Sequence, residues 1–85
     1  MKVKLLFFAS LREQLGTSAE EIELPGGVST VAGLREHLKS RGGAFEKAFA
    51  QKTVVRVAVN QDMVQPTARI KAGDEVAFFP PVTGG

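Results

Sequence analysis

Apolar and polar residues alternate with a period of two along three stretches of this chain, as they do in strands that bury one face. The stretches cover residues 2–8, 21–24 and 75–79. A fourth stretch, residues 54–59, is rich in β-branched side chains, and the turn residues Asn60-Gln61-Asp62 that follow it favour a hairpin. The pattern therefore predicts an N-terminal pair of strands, a hairpin and a last strand.

Helical spacing appears between these strands. The main helix is predicted from three apolar residues on one stripe, behind a cap at Ser29 or Thr30: Val31, Leu34 and Leu38. Two shorter segments carry apolar residues four apart, and each predicts a short helix or a single turn: Leu11 with Leu15, behind a Ser10 cap and before Gly16, and Phe45 with Phe49, after Gly42-Gly43.

The order strand-strand-helix-strand-strand-strand predicts an α+β fold with the main helix on one face of a mixed sheet. This is the β-grasp, or ubiquitin-like, arrangement. The helix makes the crossover that a parallel pair requires, so we expect the first and last strands to lie side by side in parallel. Pro80-Pro81 must end the last strand, because neither proline can donate a ladder hydrogen bond. We expect residues 1–81 to form this domain and residues 82–85 to form a flexible C-terminal tail.

Composition and charge argue against several classes of function. The 85 residues include 11 basic and 9 acidic side chains, and the basic ones are scattered without a cluster, which argues against nucleic-acid binding. No cysteine is present, which excludes disulfides, thiolate nucleophiles and cysteine-based metal sites. The N-terminus lacks a signal-peptide pattern, and the longest apolar run, residues 5–9, is too short to cross a bilayer. We therefore expect a cytoplasmic protein that does not contact a membrane.

The sharpest chemical feature is the pair Gly84-Gly85 at the end of the sequence. Pro80-Pro81 stiffens the base of this tail, and two residues without a Cβ make its tip slim. A carboxylate on such a tip can enter a narrow tunnel in a partner protein and be adenylated there, because a carboxylate is a poor electrophile until its oxygen becomes a leaving group. The alternative is a terminus of small residues that merely frays.

A second feature is an apolar outer face on the predicted sheet. Alternation places Leu6 and Phe8 opposite the core-facing residues of the first strand, and it places Phe79 on the outer side of the last strand. If these strands are neighbours, Phe8 and Phe79 form one exposed patch, which Met63 extends from the hairpin. Such a patch usually marks an interface. The alternative is that the short helix after the first strand folds back over it.

Other residues give weaker chemical signals. His37 is the only histidine, and no further ligands accompany it, so we expect no metal site. Glu20, Glu21 and Glu23 could form paired carboxylates, but their strand context favours a solvated edge. The internal glycine pairs lack the Gly-Lys-Ser/Thr ending of a phosphate-binding loop and are interpreted as turns.

The C-terminus closely resembles that of the small subunit of molybdopterin synthase, over the run Gly73-Asp74-Glu75-Val76-Ala77-Phe78-Phe79-Pro80-Pro81-Val82-Thr83-Gly84-Gly85. Three further segments support the resemblance, which spans most of the chain: Leu6-Phe7-Phe8-Ala9, Leu11-Arg12-Glu13 and Val59-Asn60-Gln61.

The resemblance implies a sulfur carrier whose Gly85 is adenylated by a ubiquitin-activating-like enzyme and converted to a thiocarboxylate. The tail Val82-Thr83-Gly84-Gly85 then enters the large subunit. There the sulfur passes to cyclic pyranopterin monophosphate to make the dithiolene of molybdopterin, and two copies of each subunit form a heterotetramer.

The same resemblance implies that this chain binds no cofactor or metal, that the activating enzyme uses ATP, and that the catalytic side chains belong to the large subunit. The residues implied to contact both partners are those of the predicted apolar face and the two prolines that follow it: Leu6, Phe8, Met63, Phe79, Pro80 and Pro81.

Three other functions remain open. A sulfur carrier for a thiazole-type product shares the fold and the diglycine, although the Phe-Phe-Pro-Pro-Val-Thr approach to the diglycine argues against it. A ubiquitin-like modifier would be joined to lysines by an isopeptide bond. A plain interaction module would carry an idle tail.

Overall fold

A computed structural model describes residues 1–81 of the chain, and the expected tail, residues 82–85, lies outside the described residues. The described elements follow in this order: β1 (Lys2–Phe7), α1 (Ala9–Leu15), β2 (Ala19–Glu23), α2 (Val31–Lys39), α3 (Gly43–Ala48), β3 (Arg56–Val59), β4 (Asp62–Met63) and β5 (Glu75–Phe79). Over this part of the chain, no helix has the length and apolar character that crossing a bilayer requires.

The five strands form one mixed sheet in the order β2-β1-β5-β3-β4. β1 and β5 are parallel neighbours, with Leu5 opposite Val76 and Phe7 opposite Phe78, whereas the other strand pairs are antiparallel. α2 lies in the connection between β1 and β5 and supplies the crossover that parallel strands need. The α+β, β-grasp fold expected from the sequence is confirmed, together with its central parallel pair.

One apolar core lies between the inner face of the sheet and the helices. Phe7, Phe49 and Phe78 are at most 1% exposed. Their ring centroids lie 5.9 Å apart for Phe7 and Phe78 and 5.1 Å apart for Phe49 and Phe78. Leu34 and Leu38 of α2 are fully buried in the same cluster. Burial of each such side chain stabilises the fold by about 1.5–3 kcal/mol, so this cluster fixes which face of the sheet points inward.

α1 begins earlier than predicted, and the Ser10 cap was wrong. Phe8 occupies the N-cap position in an extended conformation, and no side chain caps the helix. The backbone N–H of Phe8 donates to the carbonyl oxygen of Phe78 at 3.2 Å, so Phe8 is still held against β5. Ala9 then has a left-handed φ of 52°, which turns the chain out of the strand. Tertiary pairing at Phe8, rather than a local cap, therefore sets where this helix starts.

α2 begins behind Thr30, the second of its two predicted caps. The Thr30 hydroxyl accepts a hydrogen bond from the backbone N–H of Gly33 at 3.1 Å. At the other end the helix is closed by Ser40, whose N–H donates to the carbonyl oxygen of Glu36, so the helix ends before Gly42-Gly43. α3 then forms the short helix expected around Phe45.

Arg35 of α2 explains why β3 begins later than predicted. Its guanidinium donates to the carbonyl oxygens of Phe49 at 3.2 Å, of Ala50 at 2.6 Å and of Thr53. These hydrogen bonds hold the segment after α3 against α2. Val54 therefore precedes the strand and is 62% exposed, although its β-branched side chain favours a strand.

A polar cluster ties the turn between β3 and β4 to the start of β5. Asn60 and Gln61 have left-handed φ values of 50° and 72°, as two-residue hairpin turns require. The Asn60 side chain donates to Asp74 at 3.0 Å and accepts from the backbone N–H of Glu75 at 3.0 Å. Asp74 is 8% exposed and also accepts from the backbone N–H of Lys71 at 2.7 Å. This cluster fixes β4 relative to β5.

An ion pair joins β2 to the segment that follows α2. Arg41 donates two hydrogen bonds to the carboxylate of Glu20, and its guanidinium lies 4.7 Å from the ring centroid of Phe45. The hydrogen bonds from Arg41 hold the pKa of Glu20 below its ordinary value of 4.5. Glu20 pairs with core-facing Leu5, so it points to the helical side. Glu20 thus lies on the edge strand, as predicted, but its ion pair with Arg41 leaves it only partly solvated.

We expect Glu20→Gln to lower the free energy of unfolding at pH 7 by about 0.5–1 kcal/mol, the size measured for partly exposed pairs. Because the pKa of this carboxyl is lower in the folded chain, the unfolded chain binds the proton more readily. The contribution is therefore present above about pH 4.5 and is lost as the pH falls through the folded pKa. Urea denaturation of the wild type and E20Q between about pH 3 and pH 7 measures it.

Glu13→Gln is the matched control, because Glu13 is an exposed residue of α1 and its loss should change stability by less than about 0.5 kcal/mol. A stability difference between the wild type and E20Q that stays constant with pH contradicts the account.

Candidate functional site

The outer face of the sheet, opposite the helices, divides into a charged half and an apolar half. Register places the charged half where β1 and β5 begin: Lys2, Lys4, Glu21, Glu23 and Glu75. The apolar half lies where these strands end, and we call its residues the apolar patch: Leu6, Phe8, Ala58, Met63, Ala77 and Phe79. Because β1 and β5 are parallel, this patch lies at the edge where the chain leaves β5 towards its C-terminus.

Phe8 and Phe79 form the centre of the apolar patch. Since Phe7 pairs with Phe78 on the inner face, the next residue of each strand points outward at the same level. The two outward rings are stacked, with centroids 4.8 Å apart and planes inclined by 5°. Phe8 nevertheless remains 40% exposed. The pair that alternation predicted is therefore present, and it offers a flat aromatic surface to solvent.

Two alanines form the floor of the patch. Ala58 and Ala77 are opposite each other on β3 and β5, and both point outward by register. Their exposures are only 3% and 6%, because larger neighbours stand around them. Those neighbours and the alanines enclose a shallow groove of about 490 Å³. A small side chain at each position makes the patch concave, a shape suited to receiving a projecting apolar group.

Met63 and the two prolines continue the patch towards the tail. Met63 is 59% exposed and pairs with Ala58 across the β3–β4 hairpin. A second groove of about 480 Å³ runs from Phe8, Phe79 and Met63 to Pro80 and Pro81. Pro80 is half-buried and Pro81 is exposed. The predicted tail residues Val82, Thr83, Gly84 and Gly85 lie outside the described part of the chain.

α1 does not cover the apolar patch. Leu11, its buried residue, packs into the core on the inner side of the sheet, and Ala9 is the helix residue that borders the second groove. The alternative in which this helix folds back over the patch is therefore wrong. That the patch binds partners remains a prediction.

The remaining candidate residues form no reactive cluster in residues 1–81. His37 is half-buried on α2, and no described group of three or more histidines, aspartates and glutamates is arranged to hold a metal ion. Glu21 and Glu23 face solvent, as predicted. The ammonium group of Met1 lies 2.8 Å from Glu23 and, by a hydrogen bond, lowers the pKa of that carboxyl.

One residue at the site was missed by sequence reasoning. Arg56 borders the second groove beside Met63, Phe79 and the prolines. The β-branched composition of residues 54–59 predicted a strand there and gave Arg56 no role. The signal that could have found it is the antiparallel register of β3 with β5, which places Arg56 opposite Phe79.

A mixed sheet with one crossover helix, a last strand that ends in an apolar patch and a tail beyond it define a ubiquitin-like β-grasp protein. The sequence profile described as the ThiS family matches residues 5–85. The chain belongs to the ThiS family.

Similar proteins agree with this membership. The molybdopterin synthase sulfur carrier subunit of Haemophilus influenzae is 42% identical over 83 residues, which cover 98% of this chain and 99% of that protein. A putative molybdopterin converting factor, subunit 1, from Pyrococcus furiosus has a solved structure that matches with a TM-score of 0.78 at 38% identity. The match covers 96% of this chain and 99% of that one.

A third match is SAMP1, small archaeal modifier protein 1, from Haloferax volcanii. Its crystal structure matches with a TM-score of 0.78 at 25% identity, and all of both chains is covered. The resemblance to the small subunit of molybdopterin synthase that the sequence suggested is thus confirmed, within a fold that modifiers also use.

We expect adjacent phenylalanines to differ sharply in their contribution to stability, because the register puts them on opposite faces. Phe7→Ala removes a ring that is 1% exposed and should cost about 3–5 kcal/mol. Phe8→Ala loses the stacking on Phe79 and the partial burial of a ring that is 40% exposed, and should cost about 1.5–3 kcal/mol. Urea denaturation measures both values. Equal losses for the two variants would place Phe8 in the core and contradict the assignment of the apolar patch.

Proposed function

We propose that this chain is the sulfur carrier subunit of a molybdopterin synthase and that Gly85 carries the sulfur as a thiocarboxylate. One observation carries the proposal: the exposed apolar patch is continuous with Pro80-Pro81, the base of the diglycine tail. A partner that binds the patch necessarily lies beside the root of the tail. Family membership and the named H. influenzae relative support the same function.

The chemistry begins with a carboxylate that cannot react unaided. An oxygen of the Gly85 carboxylate attacks the α-phosphorus of ATP on an activating enzyme, and pyrophosphate leaves. A sulfur nucleophile at the oxidation level of sulfide then attacks the acyl carbon and expels AMP. The carbon–oxygen bond to AMP breaks, a carbon–sulfur bond forms, and the tail ends in a thiocarboxylate.

The second step takes place on the large subunit. The tail Val82-Thr83-Gly84-Gly85 enters that subunit and delivers one sulfur to cyclic pyranopterin monophosphate, and a second loaded carrier supplies the other sulfur of the dithiolene. In each transfer water attacks the acyl carbon and the carbon–sulfur bond breaks, so the chain returns as a carboxylate and can be loaded again. This cycle belongs in the cytoplasm and in an assembly of two carriers with two large subunits.

The catalytic side chains of this cycle are expected on the partners. Within residues 1–81 no group of three or more histidines, aspartates and glutamates is arranged to hold a metal ion, and the two grooves of the outer face are lined mostly by apolar side chains. The role of this chain is to present the reacting carboxylate and to be recognised. We propose that ATP and the pterin are bound by these partners.

Use of one patch by two partners has a kinetic consequence. If the activating enzyme and the large subunit both cover Phe8, Met63 and Phe79, they cannot bind at the same time. The carrier must dissociate after each loading step. A moderate, rapidly reversible affinity suits this cycle better than a very tight one.

The likeness to SAMP1 favours one second function, a ubiquitin-like modifier. In that case the activated Gly85 carbonyl would be attacked by a lysine amine instead of sulfur, and an isopeptide bond would form. The two functions share the activation step and differ in the nucleophile.

We expect the chain purified after co-expression with its activating enzyme and sulfur donor to exchange one oxygen of Gly85 for sulfur. Intact-mass spectrometry detects the exchange. Oxidation of Met1 or Met63 adds nearly the same mass, so the change must be located by digestion. The tryptic peptide after Lys71, residues 72–85, contains the tail and no methionine, which makes the assignment unambiguous.

A chain that lacks Gly85 is the matched control, since it keeps the domain and should neither gain the sulfur nor support molybdopterin formation. Peptides with a Gly-Gly remnant on lysines of other proteins would instead favour the modifier. An unmodified C-terminal peptide, together with molybdopterin formation by the truncated chain, contradicts the proposed function.

A further inference from the structure

Arg56 is a cation on the rim of an otherwise apolar surface. It is the first residue of β3 and lies opposite Phe79, so its side chain projects from the outer face of the sheet. It is exposed. It borders the groove that leads from Phe8, Met63 and Phe79 to Pro81 and is, among the described residues that line this groove, the one that bears a charge.

No carboxylate in the described part of the chain neutralises Arg56. The ion pairs of residues 1–81 join Glu23 to the N-terminus and Glu20 to Arg41, and no side-chain hydrogen bond in this range involves Arg56. Glu75, the nearest acidic position on the outer face of β5, lies four residues before Phe79, about 13 Å along the strand. Asp62 pairs with inward-facing Val59 and so points to the other face.

Binding of a partner would remove the water that solvates this guanidinium. In water it is solvated and needs no ion pair. A partner that covers the apolar patch and surrounds the root of the tail removes that water, and an unpaired cation at an apolar interface then costs several kcal/mol. A carboxylate on the partner would offset this cost with two parallel charge-assisted hydrogen bonds.

We propose that Arg56 is a specificity-determining residue that forms an ion pair with a carboxylate of the large subunit, at the mouth of the channel that receives the tail. The inference rests on the proposed function. An apolar patch alone accepts many apolar surfaces in several orientations. One charge beside it selects partners that carry an acid in the matching place and fixes the rotation of the carrier about its tail.

Two other acids compete for the same guanidinium. The four residues beyond Pro81 can span up to about 14 Å when extended, and Pro81 lines the same groove as Arg56, so the Gly85 carboxylate is one competitor in the free chain. A second copy of the chain could also supply an acid. The large subunit is favoured because the proposed sulfur transfer requires the tail to extend away from its own domain while the patch is covered.

The test compares Arg56→Leu, Arg56→Lys and Arg56→Glu in the full-length chain. Isothermal titration with the purified large subunit gives the dissociation constant at low and high salt. We expect R56L to weaken binding about 30-fold or more, as loss of one partner of a buried charge pair does. R56K should lose less, R56E should lose most, and the salt dependence of R56L should be weaker than that of the wild type.

Arg69→Leu is the matched control, because Arg69 is also exposed, does not line the groove and should change binding by no more than about twofold. Replacement of aspartates and glutamates around the channel of the large subunit by arginine, one at a time, provides the converse test. One such variant should restore the binding of R56E.

The inference is overturned if R56L binds the large subunit as tightly as the wild type, because Arg56 is then a solvated rim cation. It is also overturned if R56L binds more tightly, which indicates a pair with the tail of the same chain, or if R56L abolishes self-association, which indicates a second copy. Failure of the wild-type chain itself to bind the large subunit would instead refute the proposed function, and the inference would fall with it.

Discussion

The parallel pairing of β1 with β5 is the constraint on which the rest of this structure depends. It joins the first strand of the chain to the last, across a connection that contains every other element. The register sets Phe7 against Phe78 inside and Phe8 against Phe79 outside. The same pairing therefore builds the centre of the core and the centre of the apolar patch. It also makes both strands end at one edge, so the patch and the root of the tail coincide.

The two faces of this sheet differ in their roles: the inner face contributes most of the stability, and the outer face carries the exposed apolar side chains. The inner face is stabilised by aromatic packing, and the Arg35 hydrogen bonds hold the segment after α3 against α2 on that side. The outer face contributes less to stability, because its stacked pair is partly exposed and its floor is two alanines. Such a division suits a carrier. Under the proposed function, its body would stay rigid while its patch binds one partner, releases it and binds the next.

A surface that serves more than one partner needs a means of discrimination. Apolar contacts supply affinity with little directional preference, whereas a charge at the rim penalises partners that cannot pair it. Arg56 lines the groove that contains Pro80 and Pro81, and among the described residues of that lining it is the charged one. Recognition of the patch and admission of the tail would then depend on one continuous surface.

The strands, the parallel pair and the aromatic patch were predictable because they depend on alternation and element order, which are local properties of the chain. The errors arose where tertiary contacts overruled local signals. Ser10 lost its role as a cap because Phe8 is still bonded to β5, and Val54 stayed outside the sheet because Arg35 binds the segment before it. Glu20 is only partly solvated because it pairs with Arg41, a residue distant from it in the sequence. The place of Arg56 beside the apolar patch follows only from the register of β3 with β5, which pairs it with Phe79.

The central claim is that the apolar patch and the tail act together as one binding surface. The most direct measurement is the amide NMR spectrum of the ¹⁵N-labelled chain with and without its unlabelled large subunit. The account predicts that the largest changes fall on Phe8, Met63, Phe79 and the tail, while Lys2 and Glu21 in the charged half change little. Changes concentrated on the charged half or on α2, with Phe8 and Phe79 unaffected, would contradict it.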